Sequence, residues 1–170
     1  HHRRGTNGNT VAIFMKERKE FNPSDSLGRQ MAEEEVRQAY LESKAIEEYM
    51  QALRSRYQLL DASESSLGNA KEALRSIVDG TEGQHMLVDV GGGIFVNASL
   101  GDNKDVLITV GEGVYLSKTT EGASKLLDER LESVRKAKET VLQELTRAQT
   151  QYAQRQTRLS ELTEKLAAKK

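Results

Sequence analysis

Cysteine and tryptophan are absent from this 170-residue chain, which also has only one proline and three phenylalanines. Without cysteine, the chain can form neither a disulfide nor a thiolate metal site. Three histidines, His1, His2 and His85, do not suffice for an ordinary zinc site, so no metal or other cofactor is expected. A content of 36% hydrophobic and 30% charged residues is lean for a rounded core and typical of long helices with solvated outer faces.

Long apolar runs are also lacking. Runs such as residues 11–15 (VAIFM) are far too short to span a bilayer or to form the core of a secretory signal. A soluble cytoplasmic protein that does not bind membranes is therefore expected. Residues 1–30 show no sustained period, which indicates a disordered leader or a vector-derived segment, with a regulatory or targeting tail as the alternative.

A heptad pattern begins after this segment and predicts an N-terminal coiled-coil helix over residues 31–80. One seam repeats every seven residues and comprises Ala39, Ile46, Leu53, Leu60, Leu67 and Leu74. Its companion seam comprises Val36, Ser43, Met50, Tyr57, Glu64, Lys71 and Val78. Five or more heptads favour a coiled coil over a one-faced surface helix. Gly80 is expected to end the helix in the left-handed conformation.

A second heptad pattern predicts a C-terminal coiled-coil helix over residues 119–170. Its seams comprise Leu131, Lys138, Leu145, Tyr152, Leu159 and Leu166, and Leu127, Val134, Val141, Ala148, Arg155 and Leu162. Thr119 or Thr120 is suited to cap its first turn. The similar length of the two helices predicts antiparallel pairing. Placing Val78 opposite Leu127 gives a register in which the numbers of facing residues sum to about 205.

Charge supports this pairing. Residues 31–80 carry six basic and ten acidic side chains, whereas residues 119–170 carry eleven basic and eight acidic ones. Opposite net charge is expected of helices that lie side by side. Nucleic-acid binding would require a concentrated basic face, and the cationic second helix has a nearer partner, so no nucleic-acid partner is expected.

Between the helices, residues 81–118 contain one phrase twice. LVDVGGGIFV, which starts at Leu87, aligns without gaps to LITVGEGVYL, which starts at Leu107. Each copy reads as strand, glycine turn and strand, and hence as a β-hairpin. The predicted fold is therefore α+β, a long antiparallel two-helix coiled coil joined by two β-hairpins.

Two hairpins supply only four short strands with many free edges, which do not close a barrel alone and favour pairing with other chains. Oligomerisation through the hairpins is therefore predicted. The candidate assembly interface comprises Leu87, Val88, Val90, Ile94, Phe95, Val96, Val106, Ile108, Val110, Val114, Tyr115 and Leu116.

No motif predicts catalysis. The glycine turns lack the GK[ST] ending and the following helix of a phosphate-binding loop. Acidic pairs such as Glu47 and Glu48 lie off the seams, where charges normally form a solvated face. His85 has no nucleophile or pocket predicted beside it. A non-enzyme is expected.

The free ends of the helices are more suggestive. The antiparallel pairing brings the start of the first helix near the end of the second, and Tyr40 and Leu41 fall outside the seams. An exposed apolar patch there marks a binding surface or, on the alternative interpretation, an ordinary frayed end. The candidate binding residues are Val36, Ala39, Tyr40, Leu41, Leu159, Leu162 and Leu166.

The order long helix, two hairpins, long helix, with the phrase VGxG[IV][FY][VL] in each hairpin, resembles the alpha class of the prefoldin family over about residues 33–168. The resemblance is strongest over residues 87–100 and 106–118, and two hairpins rather than one favour the alpha over the beta class. It implies a hexamer of two alpha and four prefoldin beta subunits whose hairpins form an oligomeric β-barrel platform. It further implies an ATP-independent chaperone, a holdase, that captures non-native client proteins at the coiled-coil tips and delivers them to a group II chaperonin.

Three alternatives stay open on the sequence. A prefoldin-like self-assembling filament or scaffold would need no beta partner. An enzyme-like ligand site would use the glycine turns. A coiled-coil spacer or nucleic-acid hinge would bind DNA in a salt-sensitive way.

Overall fold

The structure is a computed structural model that describes residues 23–169. Its elements are, in chain order, α1 (Pro23–Asp79), β1 (His85–Gly91), β2 (Ile94–Ser99), β3 (Asp105–Gly111), β4 (Val114–Thr119) and α2 (Thr120–Ala168). These residues form two compact units. Unit 1 contains residues 23–47 and 151–169, and unit 2 contains residues 48–150. The predicted class of two long helices joined by two antiparallel hairpins is confirmed.

Helix α1 begins at Pro23, eight residues before the predicted start at residue 31. Proline suits the first helical position because its missing N–H would have no intrahelical partner there and its φ is already helical. Asp25 in the first turn is favoured by the positive end of the helix. Residues 23–30 therefore belong to the helix, while the rest of the predicted leader lies outside the described residues.

In unit 2, α1 and α2 pack antiparallel. Interhelical ion pairs join Lys71 to Asp128 and the Arg135 Nε to the Glu64 Oε1 at 3.7 Å. In each pair the two residue numbers sum to 199, so the predicted register, in which the numbers of facing residues sum to 205, was wrong. Ala123, four residues before Leu127, is also buried, so the buried residues of α2 begin earlier than the leucine pattern indicated.

A polar cluster interrupts the seam of unit 2. The Lys138 Nζ lies 2.7 Å from the Asp61 Oδ1, 3.1 Å from the Glu64 Oε2 and 5.0 Å from the centre of the Tyr57 ring. Hydrogen bonds to Asp61 and Glu64 raise the pKa of Lys138 above its ordinary value of 10.5, against an opposing effect of desolvation. Because folding raises this pKa, the stabilisation is complete below pH 10.5 and is lost as the pH rises through the higher folded-state pKa.

Replacing Lys138 with methionine is expected to lower the melting temperature at pH 7, because Glu64 loses its nearest cation while only 29% of its side chain is exposed. Lys136→Met is the matched control, since Lys136 is exposed and pairs with Glu132 inside one helix. Differential scanning calorimetry measures both variants. Equal melting temperatures for the two would show that the cluster does not stabilise the helix pair.

In unit 1, the two helices also pack antiparallel. Gln156 donates through Nε2 to the Ser43 Oγ at 2.6 Å, and Arg155 pairs with Glu42 at 2.6 Å. Ser43 is buried, so this hydrogen bond satisfies a hydroxyl group that water does not reach. The Arg155–Glu42 pair has the predicted polarity, with a base on α2 and an acid on α1, whereas the Lys71–Asp128 pair of unit 2 has the reverse polarity.

Each hairpin is a separate two-stranded sheet whose strands are joined by a glycine turn. The residues between the strands are Gly92 and Gly93 in the first hairpin and Glu112 and Gly113 in the second, and all four have positive φ. Two-residue turns of this conformation match the twist of antiparallel strands. Glu112 has a φ of 47°, which is unfavourable for a side chain with a Cβ. The repeated glycines therefore serve hairpin turns, and a strand follows each of them.

The C-terminal end of α1 is closed by the loop between the hairpins. The Asn103 Nδ2 donates to the carbonyl oxygens of Ile77, Val78 and Gly80 at 3.2–3.3 Å. Gly80 is not among the residues with positive φ, so the predicted left-handed cap was wrong. A Cβ at Gly80 would lie 2.9 Å from the Leu100 Cδ2, so a larger residue would require the Leu100 side chain to shift.

Asn103→Ala is expected to lower the free energy of unfolding by about 1 kcal/mol, the usual contribution of such hydrogen bonds. Asn103→Asp should destabilise the protein further, because its carboxylate would accept no hydrogen bond from these carbonyls and would lie at the negative end of α1. Chemical denaturation of the two variants provides the measurement. If the aspartate variant is as stable as the natural protein, the side-chain cap is not needed.

Candidate functional site

The hairpins present a surface that we call the apolar hairpin face. Directly opposed residues of antiparallel strands share one face, and the pairs Val88–Val96 and Ile108–Leu116 are directly opposed. The apolar hairpin face comprises Met86, Val88, Val96 and Ala98 of the first hairpin and Val106, Ile108 and Leu116 of the second. The twofold repeat in the sequence therefore places equivalent apolar side chains on equivalent strands.

Most of the predicted assembly residues are accessible in the single chain. Among the twelve predicted residues, only Val106 and Ile108 are half-buried, and the other ten are exposed. Removal of apolar surface from water stabilises an interface by about 25 cal/mol per Å². Exposed apolar side chains concentrated on two neighbouring hairpins therefore mark a surface suited to association.

Leu107 belongs with these residues but was not among those predicted. It is 72% exposed, more than any residue of the predicted interface. The repeat itself contained the signal, because Leu107 aligns with Leu87 in the first copy of the phrase. Leu107 and Ser117 are directly opposed, on the strand face opposite to that of Ile108.

The strand edges offer a second means of association. In the described residues, β1 pairs only with β2 and β3 pairs only with β4. Each strand therefore leaves one row of backbone N–H and C=O groups without a strand partner among residues 23–169. An isolated two-stranded hairpin is marginally stable in water, so additional strand pairing or packing would stabilise both hairpins.

The candidate binding residues at the helix ends divide into two groups in unit 1. Tyr40 and Leu41 are about half exposed, as expected for positions outside the seam. Ala39 and Leu162 are buried between the helices. The half-buried remainder comprises Val36, Leu159 and Leu166. Tyr40 and Leu41 are therefore accessible to a bound protein, whereas Ala39 and Leu162 are largely inaccessible and pack in the interior of unit 1.

Unit 1 also contains a groove of about 520 Å³, which we call the helix-end groove. Met31, Ala32, Leu162 and Ala168 form its apolar part, and Glu35, Lys165 and Lys169 contribute charged side chains. Small residues on both helices leave room for the groove, and Met31 is 60% exposed. The prediction missed Met31 as a site residue because residues 1–30 were assigned to a leader and Met31 only marked where the pattern begins.

The described residues contain neither a candidate metal centre nor a helix able to span a membrane. Among residues 23–169, there is no group of three or more histidine, aspartate or glutamate side chains arranged to hold a metal ion. None of the helices in this part of the chain is long and apolar enough to cross a membrane. The surfaces of interest are therefore the apolar hairpin face and the helix-end groove.

Comparison with known proteins identifies the relatives of this fold. The family model described as "Prefoldin subunit" matches residues 46–165. Prefoldin subunit alpha of Methanocorpusculum labreanum is 31% identical over 135 residues, covering 76% of this chain and 88% of that protein. The subunit alpha of Pyrobaculum calidifontis is 33% identical over 100 residues, 56% of this chain and 73% of that protein.

Two further matches, one of sequence and one of structure, have lower sequence identities. The match to prefoldin subunit alpha of Methanopyrus kandleri, at 29% identity, spans 51% of this chain and only 55% of that protein. A chain of the cryo-EM structure of filamentous PFD from Methanocaldococcus jannaschii superimposes with a TM-score of 0.59 at 20% identity, covering 66% of this chain and 93% of that chain. The structural match shows the same fold. On the family match and the subunit alpha similarities together, this chain belongs to the prefoldin family and is of the alpha type.

Proposed function

We propose that this chain is a subunit of a prefoldin-type chaperone that holds non-native proteins without nucleotide. The observation that carries the proposal is the accessible apolar surface of unit 1, where Tyr40, Leu41 and Met31 are each about half exposed or more. Non-native proteins expose apolar segments, and the free energy falls when an apolar surface removes such segments from water. The chaperone acts by binding, not by catalysis.

Assembly is assigned to the hairpins of unit 2. Sister chains would cover the apolar hairpin face and pair with the free strand edges, closing the hairpins into a β-barrel platform. The similarity to subunit alpha proteins supports beta subunits as partners, in a hexamer of two alpha and four beta chains. Several copies of unit 1 would then be presented to one client at once.

Client binding depends on this multiplicity. A single groove and two exposed side chains bind a client weakly, but simultaneous contact by several subunits raises avidity by about 10²–10⁴. Weak individual contacts also break quickly, which suits transfer of the client to a group II chaperonin in the cytoplasm.

A second candidate function is a self-assembling filament or scaffold. It is favoured by the structural similarity to a chain of filamentous PFD from Methanocaldococcus jannaschii. In this arrangement the apolar hairpin face would be covered by further copies of this chain alone. The mass of the purified chain, measured with and without an added prefoldin beta subunit, distinguishes the two candidates.

The double variant Tyr40→Ser/Leu41→Ser tests client capture without touching the buried seam. We expect it to weaken client affinity about thirtyfold, because partial burial of each of the two side chains contributes about 1 kcal/mol. Light scattering of an aggregating client measures the protection. Leu59→Ser/Leu142→Ser is the matched control, since both leucines are exposed but lie in unit 2. Equal loss of protection in both double variants would contradict capture at unit 1.

A further inference from the structure

The helix-end groove combines an apolar floor with an excess of positive charge. The Leu162 side chain and the small residues Ala32 and Ala168 line its apolar part. Its volume of about 520 Å³ lies within the range of about 300–1,000 Å³ that is usual for ligand clefts. Met31 is exposed beside it and, with three rotatable bonds and a polarisable sulfur, adapts to differently shaped apolar side chains.

The charged residues of the groove come from α1 and from the C-terminal part of the chain. Lys165 lies in the last turn of α2 and Lys169 directly follows its last residue, Ala168, and both line the groove. Among the described residues that line the groove, Glu35 of α1 supplies the only acidic group. Two cations and one anion give these lining residues a net charge of +1.

These lysines are available to a ligand. Neither Lys165 nor Lys169 forms an ion pair with any residue among 23–169, whereas the nearby Arg155 is held by Glu42. Both lysines are exposed, and Lys165 lies in the last turn of α2, where its charge also offsets the negative end of the helix. An acidic side chain on a bound segment would meet two ammonium groups and one carboxylate.

We propose that the helix-end groove selects extended client segments in which large apolar side chains are flanked by aspartate or glutamate. This selectivity rests on the proposed client capture at unit 1. It adds a preference for acidic over basic client segments, which we call the charge rule. The apolar side chain enters the groove between Met31 and Leu162, and the flanking carboxylate lies beside Lys165 and Lys169. The lysines thereby make acidic apolar segments better ligands than basic ones of equal hydrophobicity.

The test uses three fluorescent peptides with the same apolar residues and net charges of −3, 0 and +3, bound to the full chain and followed by anisotropy. We expect the acidic peptide to bind several-fold more tightly than the neutral one and the basic peptide more weakly, since exposed ion pairs each change affinity by about two- to fivefold. The difference should shrink as sodium chloride rises from low to high concentration.

Charge-reversal variants locate the effect. Lys165→Glu/Lys169→Glu is expected to reverse the order of the three peptides. Arg147→Glu/Arg158→Glu, a control with the same change of net charge at exposed positions outside the groove, should keep the natural order. Equal affinity for all three peptides, or the natural order in the Lys165→Glu/Lys169→Glu variant, overturns the charge rule and leaves client capture standing.

Two other occupants of the groove give distinct results that also overturn the proposal. Binding of the peptides only by a chain that lacks residues 1–22 would assign the groove to this chain's own N-terminal segment. Self-association that disappears in the Lys165→Glu/Lys169→Glu variant, seen by sedimentation, would assign it to a second copy. Failure of client capture itself has a different signature, because the Tyr40→Ser/Leu41→Ser variant would then protect clients normally.

Discussion

Ile108→Asp is expected to convert the assembled protein into single chains. Ile108 is directly opposed to Leu116 on the apolar hairpin face and is already half-buried in one chain, so partners would complete its burial. An aspartate in an apolar interface, without a paired cation, costs several kcal/mol for each subunit contact. A loss of this size, repeated around an oligomer, is larger than the expected effect of any other single substitution considered above.

Thr109→Asp is the matched control for this prediction. Thr109 is the next residue of β3 and lies opposite Tyr115 on the other face of the strand. Size-exclusion chromatography with multi-angle light scattering compares the masses of the two variants. An unchanged oligomer in Ile108→Asp would exclude the apolar hairpin face as the interface. Dissociation of Thr109→Asp alone would instead place the interface on the opposite face.

Removal of the paired helix ends is expected to abolish protection of clients while leaving the assembly intact. A chain from residue 42 to residue 158 lacks Tyr40, Leu41 and the helix-end groove but retains both hairpins and the Asn103 cap of α1. Because the contacts of unit 2 are kept, the shortened chain should still oligomerise. Suppression of client aggregation, assayed at equal subunit concentration, should fall to the level without chaperone.

The control for the shortened chain begins at residue 23 and keeps the C-terminal end. It retains the helix-end groove and is expected to protect clients fully. If the chain from residue 42 to residue 158 protected clients as well as this control, the binding surface would have to lie in unit 2. Loss of the oligomer in the shortened chain would instead show that the helix ends contribute to assembly.

The sequence pattern predicted those parts of the fold that are determined locally. Heptads of leucine indicate two helices because only the helical period places such residues on one stripe. The twofold phrase indicates two hairpins because glycines at Gly92 and Gly113 provide the positive φ that two-residue turns require. Thr119 caps α2 as predicted, since its Oγ1 accepts from the Gly122 N–H at 3.0 Å.

Features that depend on contacts between distant residues were predicted less well. The predicted helix register was wrong, because which layers of the two helices face each other depends on contacts between them and not on the leucine spacing of either helix. The burial of Ala123, a small residue with no strong hydrophobic signal, was also missed. The left-handed cap predicted at Gly80 was wrong, and the Asn103 side chain from the loop between the hairpins binds the carbonyl oxygens at this helix end instead. The helix-end groove was missed because it depends on small side chains, Ala32 and Ala168. A heptad pattern is recognised from large apolar side chains and gives no signal where they are lacking.

The central claim, that sister chains cover the hairpins of unit 2, is tested most directly by native mass spectrometry of the unmodified chain mixed with a prefoldin beta subunit. We predict a complex that contains two copies of this chain and four of the beta subunit. A spectrum that shows only separate single chains, at concentrations where prefoldin complexes form, would contradict the account.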